Sequence, residues 1–186
     1  MEHTGSRIQI RHMTLVALFA AFLAVISQIQ LPMPAGVPVT IQVFAVALAG
    51  VVLGWKLGLV SVLVFLLCGA VGAPVFAGFQ GGLQVLVGVT GGYLMAWPLM
   101  AALSGIRIKH NNPKLVTLIT IILALIGLAA VEGFGGFWWC RMTAGDLRTI
   151  MIYSLTAFIP KDIVITVLAV VIGQRIRKVA GNYLDI

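Results

Sequence analysis

PVTIQVFAVALAGVVLGWKLGLVSVLVFLLCGAV, residues 38–71, carries a single charge, Lys56. Two apolar runs, 38–53 and 57–71, flank the tight-turn signal Gly54-Trp55-Lys56. A helix rises about 1.5 Å per residue, and a hydrocarbon core about 30 Å thick takes roughly 17–25 apolar residues, fewer where a bundle thins the bilayer. Both runs are short by that measure, yet they leave no polar face for water. The stretch reads as a hairpin of two short transmembrane helices.

Working outward, four further segments come near the same length: 13–29, 83–103, 115–131 and 160–178. Gly91-Gly92 and Pro98 in the 83–103 segment predict close backbone contact and a kink. Pro160-Lys161-Asp162 interrupts the apolar stretch 150–172. With Pro160 as first helical residue its missing N–H costs nothing, and Asp162 falls where the helix dipole favours an anion. An extra helix over 144–158 then packs on the outer side, reached through the Gly- and Trp-rich stretch 133–139. The chain has 186 residues, 61% hydrophobic and 9% charged, against roughly 45–50% and about 25% in soluble domains. The expectation is one all-α integral membrane domain over 1–186, a six-transmembrane-helix bundle.

Charge sets the orientation. Arg7, Arg11, Lys56, Arg107, Lys109, Lys114, Arg175, Arg177 and Lys178 all fall on one side if six spans alternate, and that side is cytoplasmic. Both termini are therefore expected in the cytoplasm. The net charge of +7 is not interleaved with aromatics along one patch, which excludes a nucleic-acid surface. Arg7 and Arg11 before an apolar run resemble the start of a signal peptide, but the helix parity needs the segment retained. Cys68 and Cys140 are far apart, with no metal-ligand spacing. There is no phosphate-binding G-x-x-x-x-G-K-[S/T], no H-E-x-x-H and no Ser/His/Asp set, so ATP hydrolysis and enzymatic activity are not expected.

An ionisable residue inside a membrane segment is costly enough to be a functional candidate. Lys161 and Asp162 form the one adjacent pair. They either begin the last helix, solvated at the interface, or face a cavity, accepting from ligand N–H groups and donating to a ligand carbonyl. Glu132 is a weaker candidate that also fits as the outer end of the fifth helix. The outward loops 31–40 and 72–82 are apolar yet rich in helix breakers, a composition suited either to tight turns or to a lid over an apolar ligand. Thr40, Gln42, Gln80, Gln84, Thr90 and Tyr93 cluster around them and supply polar contacts for a pocket. Ala17, Ala20, Ala21 and Ala24 form small-xxx-small spacings on the first helix, fit for a partner membrane protein or for packing inside the bundle. A stand-alone ion-coupled carrier, with Asp162 or Glu132 protonated during its cycle, is the alternative to an energised complex. An intramembrane enzyme is the third class, without a visible nucleophile and base.

The order and spacing of Pro38-Val39-Thr40-Ile41-Gln42, Gly69-Ala70-Val71-Gly72-Ala73-Pro74-Val75-Phe76-Ala77-Gly78, Thr90-Gly91-Gly92-Tyr93-Leu94 and Pro160-Lys161-Asp162 resemble the BioY family, the biotin-specific substrate-binding (S) components of energy-coupling factor (ECF) transporters. The resemblance covers the chain from the first helix to about Arg177. It implies a non-enzymatic six-helix S component of a bacterial cytoplasmic membrane, with biotin as transported ligand and no cofactor. It also implies as partners a transmembrane coupling subunit, docked on the Ala-rich first helix, and ATP-binding cassette ATPases. Asp162 takes the role of acceptor for the ureido N–H groups. The family pattern reads Pro-Gly-Asp with Lys three residues on, whereas this chain has Ile165 there and Lys161 before the aspartate. Val89 replaces the usual Pro, and Ala96-Trp97 replaces Gly-Phe. Phe79-Gln80 lacks a basic residue for the ligand carboxylate, which leaves Gln80, Arg141 or Arg148. Trp138, in the Trp-rich stretch, completes the candidate substrate-binding set of Asp162, Lys161, Gln80, Tyr93, Thr40, Gln42 and Arg141.

Overall fold

The computed structural model describes residues 2–31 and 37–184, with side chains at 10–31, 37–154 and 156–179. Eight α-helices and one two-stranded ribbon follow in this order: α1 (Glu2–Ile26), β1 (Gln30–Leu31), β2 (Val39–Thr40), α2 (Gln42–Leu53), α3 (Trp55–Ala70), α4 (Leu83–Val87), α5 (Gly91–Ser104), α6 (Pro113–Thr143), α7 (Leu147–Ala157) and α8 (Ile159–Leu184). A 3-10 turn at Ala77–Phe79 lies between α3 and α4. The expected helical class holds.

The centre of the bundle is α2, buried at every residue except Phe44 and packed against α3, α5 and α8. That position explains why its sequence is apolar on every side. The outer helices are equally apolar but turn large side chains outward: Leu118, Ile122 and Ile126 on α6, and Leu168 and Ile172 on α8, are each 40–53% exposed. Exposed apolar surface repeated along successive turns calls for a solvent other than water. The helices approach through small residues, as membrane helices do. A Cβ on Gly50 would overlap the Ala101 carbonyl of α5, and one on Gly127 would strike Met100.

Several boundaries differ from the sequence expectation. The run 38–53 becomes helical only at Gln42, because Val39 and Thr40 pair antiparallel with Leu31 and Gln30. Of the predicted lid loop, 32–36 lie outside the described residues. The helix expected over 83–103 is broken at 88–90 into α4 and α5, and the Gly88 carbonyl released from the helical ladder accepts from the Trp138 indole N–H at 2.9 Å. The helix expected to end at 131 runs on to Thr143, straight through the glycine-rich stretch. Gly135 receives the Tyr93 ring, and Gly136 faces Met151, so these glycines serve packing rather than a loop. Asn112 caps α6 at its start, accepting from the Lys114 N–H at 3.0 Å, with Pro113 in the first turn.

The extra helix appears as α7, capped by Asp146, whose carboxylate accepts from the Thr149 hydroxyl and N–H at 2.8 and 2.9 Å. Those bonds hold Asp146 below the usual carboxylate range. The stretches Leu147–Ser154 and Ile159–Val179 meet at a 46° bend and together are long and apolar enough to span a bilayer; α6 is so by itself. Ile10–Ile26, Gln42–Leu53 and Trp55–Ala70 are apolar but shorter. Gly54, at φ 83°, joins α2 to α3 with no further residue. A cleft lined by His12, Lys56 and Arg107 and another lined by His110, Arg175, Arg177 and Lys178 gather cations distant in sequence. Of the small-residue motif, Ala20 and Ala24 turn toward the core, whereas Ala17 and Ala21 are exposed.

Candidate binding cavity

A cavity of about 290 Å³ opens between the β1–β2 ribbon, the 76–80 turn and helices α2, α5, α6 and α8. That is near the lower end of the roughly 300–1,000 Å³ of small-molecule sites. Its wall is aromatic and aliphatic: Phe76, Trp97, Leu94, Val131 and Phe158. Phe76 packs edge-on against Phe65 at 5.5 Å, and Phe65 lies 6.0 Å from Trp97. Phe158 stands edge-on to Tyr93 at 6.3 Å and to Tyr153 at 6.0 Å.

Six of the eight predicted site residues, Asp162, Lys161, Gln80, Tyr93, Thr40 and Gln42, line this one cavity, and Glu132, Gln30 and Thr90 join them. Asp162 is 2% exposed and paired with Lys161. The Lys161 ammonium also donates to the Thr40 carbonyl at 2.5 Å. The interrupting proline thus starts α8 at the depth where the next two residues meet β2, and the pair is not a solvated helix start. An ammonium has three N–H donors. Two are engaged here, leaving one for a ligand. Tyr93 contributes its ring, since its hydroxyl shares a hydrogen bond with Ser154 at 3.1 Å.

The other two of the eight, Arg141 and Trp138, stand elsewhere, as does Arg148, the further residue considered for the ligand carboxylate. Arg141 is exposed near the end of α6 and Arg148 is exposed on α7; neither lines the cavity. Trp138 supports the site from behind, its one donor engaged by Gly88, while its Cβ lies where a side chain on Gly92 would go. Gln84 bonds the Gly81 carbonyl at 2.6 Å. Among the described residues Lys161 is therefore the one Lys or Arg at the cavity, with neutral Gln30 and Gln80 toward the loop.

Sequence reading missed Gln28. Its amide N–H group donates to the Val75 and Phe76 carbonyls at 3.3 and 3.2 Å, and its carbonyl accepts from the Phe79 N–H at 2.9 Å. One side chain at the end of α1 thereby holds the turn that carries Phe76 and Gln80. The available signal was the pair of amides Gln28 and Gln30 directly after an apolar helix. Replacing Gln28 with Leu leaves those groups unpaired, a loss of about 1–2 kcal/mol at net hydrogen-bond values. The expected result is roughly 5- to 30-fold weaker ligand binding, mostly from faster release, measured as a dissociation rate on purified protein.

An apolar helical bundle with a cavity open at one end, mostly apolar but set with a part-buried ion pair and a few amides, is the architecture of a membrane protein that holds a small molecule. The sequence profile of the BioY family matches residues 1–182. The "Probable biotin transporter BioY" of Pyrococcus horikoshii is 38% identical over 167 residues, covering 90% of this chain and 96% of that protein. The "Biotin transporter BioY" of Thermotoga maritima is 34% identical over 168 residues, covering 90% and 96%. A crystal structure of the S-component for biotin from an ECF-type ABC transporter superposes with a TM-score of 0.81 at 31% identity, covering 91% of this chain and 92% of that one. The chain belongs to the BioY family, a family of transporters and not of enzymes.

Proposed function

We propose that this protein binds biotin with high affinity and moves it across the cytoplasmic membrane as the substrate-binding component of an ECF-type transporter. The observation that carries the reading is the pair of buried Asp162 and part-buried Lys161 in a mostly apolar and aromatic cavity. A cyclic urea offers N–H donors and a carbonyl acceptor, and the pair offers an acceptor in Asp162 and one free donor on Lys161. Lys161 thus replaces, from the preceding position, the lysine that the family pattern carries where Ile165 stands. The thioether ring and alkyl chain suit Phe76, Trp97 and Phe158. The ligand carboxylate lies toward Gln30 and Gln80, away from the two buried acids, where neutral amides meet it in place of a basic residue.

In this reading the bundle crosses the membrane six times with both termini in the cytoplasm, α7 lies on the outer side, and the loops over the cavity face out. The clustered cations support that orientation. Exposed Ala17 and Ala21 on α1 form the close-approach face for a coupling subunit, and ATPases supply energy that this chain has no motif to harvest. Titration calorimetry of the purified protein with biotin is the test. Saturable binding at or below micromolar concentration is expected; no heat at micromolar biotin overturns the ligand. Uptake that collapses with an uncoupler while ATP is held constant would instead favour a stand-alone ion-coupled carrier.

A further inference from the structure

A cyclic urea carries its two N–H groups on opposite flanks of the carbonyl, so they diverge and one carboxylate cannot accept both. With biotin as the ligand, the reading on which this inference rests, Asp162 takes one of them and the other is left without a partner. The cavity holds a second carboxylate. Glu132 lines the same space as Asp162 and Lys161, is only 7% exposed, and its Oε2 is buried with no hydrogen-bond partner among the described residues. The one Lys or Arg at the cavity among the described residues, Lys161, spends two of its donors on Asp162 and the Thr40 carbonyl and makes no hydrogen bond to Glu132. Glu132 sits on α6, one residue after the wall residue Val131, and α6 packs against α5 and α8, so its position is set by rigid helices.

An unpaired acid in an apolar membrane helix is costly and calls for a partner. Packing does not supply one. Ser104 and Thr166 also carry buried hydroxyl oxygens without partners, but a hydroxyl's proton rotates and its desolvation costs less than a carboxylate's. Neither lines the cavity. We infer that Glu132 is the second ureido acceptor, a specificity-determining residue that takes the N–H group Asp162 cannot reach. The head group is then matched group for group: Asp162 and Glu132 to the two N–H donors, and the free donor of Lys161 to the carbonyl. The same arrangement explains selectivity. A vitamin of similar shape without two N–H groups leaves one buried acid unpaired, and rejection of such analogues is steep because the penalty falls on the site.

The test uses biotin and its two ring-N-methylated isomers, each lacking one N–H, against wild-type protein, Glu132→Met and Glu132→Gln. Methionine matches the length, removes the acceptor and suits an apolar bundle; glutamine keeps a carbonyl acceptor. Glu132→Met is expected to bind biotin about 5- to 10-fold more weakly, in the range of one net hydrogen bond, with Glu132→Gln between the two and Glu132→Met at least as stable to heat as wild type. Against one methylated isomer the Glu132→Met penalty should vanish, because the bond is already gone; against the other it should persist in full. A penalty of equal size for biotin and both isomers marks a merely structural role and overturns the assignment. So does unchanged biotin affinity in Glu132→Met. Wild-type protein that binds no biotin at all overturns the ligand reading beneath it, a different and recognisable failure.

Discussion

Asp162→Asn is expected to weaken biotin binding by roughly 100- to 1,000-fold, about 3–4 kcal/mol. The size follows from two losses at one atom. The ligand loses a charge-assisted acceptor, worth about 1.5–3 kcal/mol, and meets an N–H₂ donor where its own donor points. Lys161 loses its charged counter-ion and keeps the Thr40 carbonyl with a neutral amide oxygen beside it, so the ammonium is held less firmly in place for the ligand carbonyl. Isothermal titration beside wild type reads the affinity directly. Affinity within about threefold of wild type would move the site away from the α8 start.

Stability separates this role from simple packing. Breaking a fully buried pair costs about 3–5 kcal/mol, but Lys161 remains 27% exposed, so the thermal cost here falls well below that range. Removing both charges, Lys161→Met with Asp162→Asn, eliminates the stranded ammonium and should recover the melting temperature without recovering biotin binding. A pair kept only for the fold would recover neither or both.

How much of this was visible in the chain depends on contrast against an apolar background. Asp162 and Lys161 stood out because charge after a proline is rare in such a sequence, and the order of the loop motifs placed Thr40, Gln42, Gln80 and Tyr93 near them. The wall residues Phe76, Trp97 and Phe158 carry no such contrast. An aromatic residue among leucines and valines reads the same whether it faces a ligand, a helix or lipid. The glycines at 133, 135 and 136 misled for a physical reason: local propensity favours a break there, but Tyr93 and Met151 fill the space opposite Gly135 and Gly136, and packing outweighs propensity. The reverse happened at Gly88. An apolar run that looked continuous is interrupted, and the Gly88 carbonyl accepts both from the Gly91 N–H three residues on and from Trp138, fifty residues away, a partner no local pattern reveals. Glu132 was ambiguous for want of one fact, whether α6 ended there or continued.

Gly69→Ala is the second large effect, because it transmits a single methyl group from a helix end into the cavity. A Cβ at Gly69 would fall inside the Phe76 ring, overlapping Cζ, Cε1 and Cε2. The helix cannot retreat, since the Gly69 carbonyl accepts from the Gly72 and Gly82 N–H groups at 3.1 and 2.7 Å and so ties α3 to both ends of the loop. Nor can the ring slide aside freely, since Phe76 is 1% exposed and wedged against Phe65. What remains open is the cavity that Phe76 lines. Overpacking a well-packed core costs typically 1–3 kcal/mol, and here the upper part of that range appears when biotin competes with the displaced ring, about 2–3 kcal/mol or roughly 30- to 150-fold in affinity. Combining Gly69→Ala with Phe76→Leu shortens the colliding side chain and should restore much of that loss, although Phe76→Leu alone weakens binding by removing wall. Such non-additivity, with the double variant binding better than Gly69→Ala alone, is the signature of two groups contending for one space. Simple addition of the two losses would mean that Gly69 and Phe76 act separately and that the loop does not press on the site.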